Sequence, residues 1–525
     1  MSLNLAVILE ESTKRNPDKV AIIFDDFKLT YAQLNAAANQ VANGLVDAGI
    51  KPGDRVGMML PNVPQFPIIY FGILKAGGVV VPMNVLLKDR EVAYYLSDSA
   101  ASAFFYWDMF AKDAVGGAQQ APSVQKLIQV GLAPAEPPEG IHDFFAFMGT
   151  QAPTFDTVAT NPDETCLIIY TSGTTGQPKG AELTNLNLFE CAHLGTHIFT
   201  FEPETDVIMA VLPMFHSFGL SNVVNGGIHG GITLTLMPRF DADKCLEIIQ
   251  RDKVTLFLGV PTMYFAMLNH PERTTYDLTS LRLCVSGGAS IPGEVMKAWE
   301  QSTGTKILEG YGLSETSPTA TFNQIETGQK VGSIGKPVWG VEVKIFDEGD
   351  KEVAQGERGE IVIKGHNIMK GYWNKPEATA EAIKNGWFHS GDIGYVDDEG
   401  FLFIVDRKKE MIIRGGFNVY PREIEEVIYM HPKVAEAAVI GVPDEKFGEE
   451  IHAVVAPKPG ETIDADELIA FVKERVAAYK YPRTVDIVKE LPKGPTGKIM
   501  KREIKVGAGQ QPQATSKEQE APAQA

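Results

Sequence analysis

The chain has 525 residues, 44% hydrophobic and 22% charged, which excludes a mainly disordered or collagen-like protein and calls for two or more domains with several cores. Lys+Arg 48 against Asp+Glu 67 gives a net charge of −19, so general nucleic-acid or anionic-membrane binding is disfavoured. An anionic ligand would need a locally basic pocket or backbone N–H groups.

The N-terminal run Leu3–Leu9 lacks a basic leader and a small-residue cleavage site, and the final Ala-Gln-Ala matches no retention or peroxisomal signal. Four cysteines (Cys166, Cys191, Cys245, Cys284) lie far apart with no CxxC spacing, which predicts a reduced protein without a disulfide scaffold or zinc site. Cytoplasm is the expected compartment. Val20–Phe24 reads as a strand, and Thr30-Tyr-Ala-Gln33 as a capping box ahead of a helix carrying Leu34, Ala37, Val41 and Leu45, with Gly49 at its C-terminal end. Val56–Leu60 predicts a strand, Ile68–Lys75 a helix and Val79–Val81 a strand. The apolar stretch Val56–Met83 is too interrupted, by Pro61, Pro64, Pro67 and Lys75, to span a bilayer. Val207–Leu212, Ile232–Leu236, Thr255–Leu258 and Leu281–Val285 continue as strands, the pattern of parallel sheets covered by helices.

After about residue 340 the character changes. Val341–Phe346, Gly359–Lys364 and Phe401–Val405 read as short strands with hairpin-like turns at Asp347–Asp350 and Asp397–Gly400. A helix at Arg422–Met430, strands at Ala435–Gly441 and Ile451–Pro457, and a helix at Asp464–Ala478 suffice for a small α+β domain. The predicted fold class is therefore α/β. A large N-terminal domain spans 1–406, with parallel-rich sheets covered by helices plus a small β-region. A small mobile C-terminal α+β domain spans 407–506, and a Gln/Ala/Pro/Ser-rich, disordered tail spans 507–525. No internal repeat is visible.

Six segments carry chemistry. Tyr170-Thr-Ser-Gly-Thr-Thr-Gly-Gln-Pro-Lys-Gly180 follows an apolar run, and its glycines, four hydroxyls and Lys179 supply donors without an acid, as a polyphosphate requires. It is not a Walker A loop. A flexible turn is the bland alternative, disfavoured by Pro178. Val285-Ser-Gly-Gly-Ala-Ser290 would let a flat ligand approach the backbone, although a strand-end turn explains it equally well. In Glu309-Gly-Tyr-Gly-Leu-Ser-Glu-Thr316, Tyr311 could face a purine, Ser314 a phosphate oxygen and Glu315 a Mg²⁺ ion; the alternative is a solvated helix start. In Trp387-Phe-His-Ser-Gly-Asp-Ile-Gly394, Asp392 could accept from both ribose hydroxyls or close an Asx-turn, and His389 reads as structural. Asp406–Pro421 is a charge run at the domain boundary, and Pro492-Lys-Gly-Pro-Thr-Gly-Lys498 is a Gly/Pro loop presenting one lysine.

Together, and in order from about Ala21 to Lys501, these segments resemble the AMP-forming adenylate enzymes: acyl-CoA synthetases, firefly-type luciferases and peptide-synthetase adenylation domains. The similarity is strongest to the fatty-acyl-CoA and 4-coumarate-CoA ligase branch. The resemblance implies that a carboxylate attacks the α-phosphate of ATP, and that the thiol of CoA then displaces AMP while the small domain swings. It places the β- and γ-phosphates on Thr171, Ser172, Gly173, Thr174, Thr175, Gly176 and Lys179. Gly288, Ala289, Glu309, Gly310, Tyr311 and Gly312 would line the adenine and acyl site. Ser314 would touch the α-phosphate, Glu315 would hold Mg²⁺, and Asp392 and Arg407 would hold the ribose. Lys409 would be the hinge and Lys498 the adenylation lysine. Gly415 and Gly416 would border a pantetheine tunnel, with Arg414, Lys480 and Arg483 as candidates for CoA's phosphates.

His216, in Leu212-Pro-Met-Phe-His-Ser-Phe-Gly-Leu220, would orient the carboxylate or gate the acyl tunnel, unless it is a packed structural histidine. Gly226, Gly227, Gly230 and Gly231 could leave a deep pocket or form turns. One departure is Leu183-Thr-Asn-Leu-Asn187, where the family usually has histidine in place of Asn185; no role is assigned to it.

No charge in this stretch would pair with an amino-acid ammonium, so the expected substrate is an apolar carboxylic acid, a medium- or long-chain fatty acid, used with ATP, Mg²⁺ and CoA. The alternatives are a coumarate-like aryl acid, transfer to a carrier protein, and a luciferase-like oxygenase that nothing in the chain demands. A noncatalytic nucleotide-binding protein comes last, because Lys498, Glu315 and Asp392 are intact. No nucleic-acid partner and no transmembrane segment are expected, with at most peripheral membrane association; oligomerisation is left open.

Overall fold

The computed structural model describes residues 2–171, 177–325, 328–415, 417–444, 446–494 and 497–506. They divide into two compact units, Met1–Ile404 with Pro495–Lys498, and Val405–Gly494 with Ile499–Ala525.

Two large sheets build the first unit. Among the described residues one is 9-stranded, and its central strands Thr233–Leu236, Val207–Ala210, Leu256–Gly259, Leu283–Ser286 and Ile307–Tyr311 run parallel. The other is 8-stranded: Thr165–Thr171, Val79–Pro82, Arg55–Met59, Ala103–Trp107 and Lys126–Val130 are parallel in that order, and Lys179–Thr184 adds antiparallel at one side. Strands buried on both faces read as continuous apolar runs, which is why Val79–Pro82 and Ala103–Trp107 are fully buried. A third, smaller antiparallel sheet holds Val341–Phe346, Gly359–Gly365 and Trp387–Val396.

The helices follow their sequence signals. Thr30 accepts from Gln33 N, Gln33 accepts from Thr30 N, and the helix Tyr31–Asp47 begins there. It ends before Gly49, whose φ of 87° lies where glycine is favoured. This helix packs so closely on Gln65–Lys75 that a Cβ at Gly72 would come within 2.5 Å of Val41 Cγ1. Gln65–Lys75 is buried all round, and its last residue, Lys75, pairs with Glu10 at 2.6 Å.

Among the described residues the second unit is a five-stranded sheet built on the long hairpin Val434–Asp444/Gly448–Pro457, with helices Pro421–Tyr429 and Ala465–Lys473 on its core. The latter helix is shorter than the Asp464–Ala478 predicted from sequence: Arg475 bends back to donate from Nη1 to Phe471 O, and turns follow. At the start of the unit, buried Asp406 accepts from Arg407 N and Arg422 N. Burial raises its carboxyl to about 6, against the opposing charge of Lys501 and these two hydrogen bonds. Lys501 itself pairs with Glu425 at 2.8 Å and Glu410 at 3.5 Å. The tail expected beyond residue 506 lies outside the described residues.

Candidate active site

The glycine- and hydroxyl-rich segment joins two antiparallel strands, Thr165–Thr171 and Lys179–Thr184, and the register sets Thr171 opposite Lys179. Ser172, Gly173, Thr174, Thr175 and Gly176 lie outside the described residues. At the loop's mouth Thr171 Oγ1 donates to Glu315 Oε1 at 3.1 Å, and Tyr372 OH donates to the same oxygen at 2.9 Å. Lys179 Nζ stands 5.1 Å from the centre of the Tyr372 ring. Tyr372 is fixed by its backbone: Gly371–Tyr372 pairs with Lys179–Thr184, and Trp373 N donates to Gly180 O at 2.8 Å. Burial, then the charge and hydrogen bond of Glu315, push its phenol far up, so Tyr372 stays a neutral donor. Tyr372 was missed by sequence reasoning; Gly371-Tyr-Trp373, glycine before two aromatics, was the available signal.

The Ile307–Tyr311 strand carries the second group. Glu309 is buried and accepts from Ser290 Oγ at 3.2 Å and Ile291 N at 3.4 Å. Of the two alternatives for this segment, the solvated helix start does not hold: Glu309, Gly310 and Tyr311 end a sheet strand, and Glu315 is buried as well. Gly312 is required by packing, since a Cβ there would fall 1.4 Å from Pro318 O. A Cβ at Gly310 would lie 2.5 Å from the Phe322 ring. Gly288, just before Ala289, has a left-handed φ of 78°.

Tyr311 OH donates to Asp392 Oδ2 at 2.6 Å, joining two segments 81 residues apart. Asp392 sits buried on the Trp387–Val396 strand, and the left-handed turn residue is its neighbour Gly391. On the same strand His389 is bracketed by Glu360 at 3.3 Å and Asp350 at 3.9 Å, the setting of a structural histidine.

Ser314 Oγ lies 3.1 Å from Ser217 Oγ, which brings in the His216 segment. Phe218 N donates to His216 Nδ1 at 3.3 Å. Burial, then the charge of Lys498, lower the imidazole to about 4. A neutral ring whose Nδ1 accepts carries its proton on Nε2, so His216 offers an N–H donor. Gly497 O accepts from Thr262 Oγ1 at 3.2 Å within the same unit. Thr171, Lys179, Glu315 and Tyr372 thus form one group, Tyr311 and Asp392 a second, and Ser314, Ser217, His216 and Lys498 a third.

Behind His216 the chain forms a buried π-helix, Phe218–Asn225, followed by Gly226–His229. Gly227 and Gly230 are there for packing: added Cβ atoms would come within 2.9 Å of Leu234 and 2.5 Å of Phe201. Asn185 ties the N-terminus down, accepting from Leu5 N at 2.9 Å.

In the second unit, Arg407 O accepts from Glu410 N and Met411 N, so Lys409 lies in a tight turn. Gly415 has φ 57° and a Cβ there would meet the Phe447 ring at 3.2 Å; Gly416 lies outside the described residues. Of the cations named for CoA, Arg414 is held by Glu450 at 2.5 and 2.9 Å and Lys480 by Glu423, while Arg483 lies on the Tyr481 ring.

A family model described as AMP-binding enzyme matches residues 9–373, and one described as AMP-binding enzyme C-terminal domain matches 423–498. A long-chain-fatty-acid–CoA ligase of Bacillus subtilis is 40% identical over 95% of this chain and 94% of its own. A feruloyl-CoA synthase of an Amycolatopsis species is 38% identical over 94% and 96%. The crystal structure of an anthranilate CoA ligase in complex with anthranoyl-AMP aligns with a TM-score of 0.90, at 31% identity, over 95% of this chain and 96% of that one.

Proposed function

We propose, for a chain that belongs to the AMP-binding enzyme family and is an ATP-dependent, AMP-forming acyl-CoA ligase, that its acid is a medium- or long-chain fatty acid. The observation that carries this reading is the uncharged wall behind His216. The π-helix carries Phe218, Leu220, Val223 and Val224 and no charged residue, and its two asparagines bond to protein: Asn225 Nδ2 donates to Tyr70 OH, and Asn222 Oδ1 accepts from Thr319 Oγ1. An amino-acid ammonium would find no carboxylate there, and desolvating it unpaired is costly. The name of the B. subtilis relative points the same way. The feruloyl-CoA synthase keeps an aryl acid as the second reading.

The chain's own residues fit the reaction. A carboxylate oxygen attacks the α-phosphorus, the bond to the bridging oxygen breaks, and pyrophosphate leaves. His216 Nε2–H orients the carboxylate, and Ser314 donates to the α-phosphate. Lys498 stabilises the charge that grows on the nonbridging oxygens, more in the transition state than in the ground state. Thr171 through Lys179 cradle the outer phosphates. Gly288, Ala289, Glu309, Gly310 and Gly312 shape the slot for adenine, Tyr311 faces the ring, and Asp392 with Arg407 takes the ribose.

The acidic pole suits a hard cation: both donors to Glu315 fall on Oε1, which leaves Oε2 available among the described residues. Mg²⁺ bound there would neutralise phosphate charge. In the second step the CoA thiolate attacks the acyl carbon and AMP leaves. Residues 1–406 act as the adenylating domain and 407–506 as the mobile one, turning at Lys409, with Gly415 and Gly416 leaving room for pantetheine. Arg414, Lys480 and Arg483 are the candidates for CoA's phosphates, and Arg414 and Lys480 would have to leave the carboxylates of Glu450 and Glu423 to serve.

No helix among the described residues is long and apolar enough to cross a membrane. The site of action is the cytoplasm, with peripheral membrane contact at most. The test is ATP- and Mg²⁺-dependent AMP release with CoA across acids of rising chain length plus coumarate and ferulate. An optimum among the fatty acids is expected; a preference for the aryl acids overturns the substrate assignment.

A further inference from the structure

Three histidines outside the active site stand in a row. His193 and His197 are one turn apart on the helix Asn185–Ile198, exposed, and their Nε2 atoms are 3.4 Å apart. His193 Nδ1 lies 3.3 Å from Nε2 of His229, on the short helix Gly226–His229. The ring of His193 also stacks on Phe189, parallel to within 5°.

We propose that His193 and His197 are the protein ligands of a binding site for a borderline transition-metal ion, Zn²⁺ or Ni²⁺, with His229 as the residue that orients His193. The spacing is the first argument. Two nitrogens at the usual Zn–N length of about 2.0–2.1 Å and a tetrahedral angle are separated by about 3.3–3.4 Å. The two Nε2 atoms hold that separation without rearrangement.

The second argument is the outer partner. Ligation needs the Nε2 lone pair of His193, which places its proton on Nδ1, where His229 Nε2 accepts it. Metal-ligating histidines are fixed in this way. Imidazole ligands also separate this ion from the Mg²⁺ of the reaction, which prefers oxygen. An occupied site would brace the helix that follows the phosphate-loop hairpin.

The test uses the full-length chain without an affinity tag, titrated with ZnCl₂ and separately NiCl₂ in a non-chelating buffer near neutral pH with excess MgCl₂, and followed by calorimetry. One ion per chain is expected, undisturbed by Mg²⁺. His197→Gln, an exposed change that leaves the fold alone, weakens binding at least tenfold. His229→Gln weakens it less, by about threefold, because it removes orientation and not a ligand. In parallel, Zn²⁺ raises the midpoint of thermal unfolding of the native chain and not of His197→Gln. Absence of binding, or equal binding by His197→Gln, overturns the proposal.

Discussion

Among the described residues Glu315 accepts two side-chain hydrogen bonds on one oxygen, and the donor from Tyr372 can be removed without disturbing its ring. Tyr372→Phe keeps the aromatic face near Lys179 and deletes the hydroxyl. A hydrogen bond to a charged group contributes about 1.5–3 kcal/mol, so kcat/KM for ATP should fall roughly 10- to 100-fold, and the midpoint of thermal unfolding should fall as well. Steady-state kinetics at varied ATP and Mg²⁺ checks it; unchanged kinetics would remove Tyr372 from the site. His216 makes a pH prediction. Its folded value is depressed from 6.5 to about 4, so the neutral ring is the folded form. Its stabilising contribution is present above about pH 6.5 and is lost as the pH falls through roughly 6.5 to 4. His216→Ala should therefore lower the rate yet leave the pH–rate profile above about pH 5 the same shape. An inflection near 6.5 in the native enzyme that vanishes in the variant would show an imidazolium at work. At this scale residue type alone left Glu315 and Lys498 ambiguous, and only the resemblance of the ordered motifs singled them out. The sequence was silent on Tyr372 and Ser217, whose roles depend on neighbours far along the chain.

Whole elements were legible where two signals agreed. The Tyr31–Asp47 helix combined apolar periodicity with a capping box and a terminal glycine, and the structure has all three. Trp387–Val396 offered no such agreement: a segment holding Ser390-Gly-Asp392 reads locally as a turn, and pairing with Gly359–Gly365 and Ile383–Lys384 makes it a strand. The glycines after the π-helix were ambiguous because small residues serve both pockets and close packing, and here Gly227 and Gly230 serve packing. Lys75 is the clearest case of a residue whose meaning lies in another element. Its ammonium is buried and bound to Glu10 of the helix Val7–Arg15, where Thr157 also donates. Glu10 is partly exposed, and its carboxyl is held below the usual range: burial raises it, and the hydrogen bonds of Lys75 and Thr157 with the Lys75 charge outweigh that. The two ends of the pair should therefore respond unequally. Glu10→Gln strands a buried ammonium and should cost about 3–5 kcal/mol. Lys75→Met fills the space with an apolar chain and leaves a carboxylate that reaches water, so it should cost clearly less. Urea unfolding of both variants decides; equal losses would mean that packing, and not charge, governs the site.

For the molecule as a whole, family resemblance was legible because the motifs recur in one order, a pattern that no single motif could supply. The second unit was legible as an α+β body because its strands and helices carry ordinary periodicities. What sequence could not give is which unit each functional residue joins. By its contacts Lys498 groups with the first unit, although it lies within the 407–506 stretch proposed to move, and Lys409 and Gly415 group with the second. If the two half-reactions use different sets of these residues, they should separate by mutation. Lys498→Ala should lose ATP-dependent adenylation by several orders of magnitude and yet convert supplied acyl-AMP and CoA to thioester at close to the native rate. Gly415→Val should do the reverse, since a β-branched side chain is strained at φ 57° and would crowd the Phe447 ring. In that variant acyl-dependent pyrophosphate exchange should persist while thioester formation falls. Measuring both half-reactions in both variants gives four rates, and the crossed pattern is what an enzyme that reorganises between two steps requires. If each variant lost both half-reactions equally, one fixed arrangement would serve both steps, and the small domain would have no need to move.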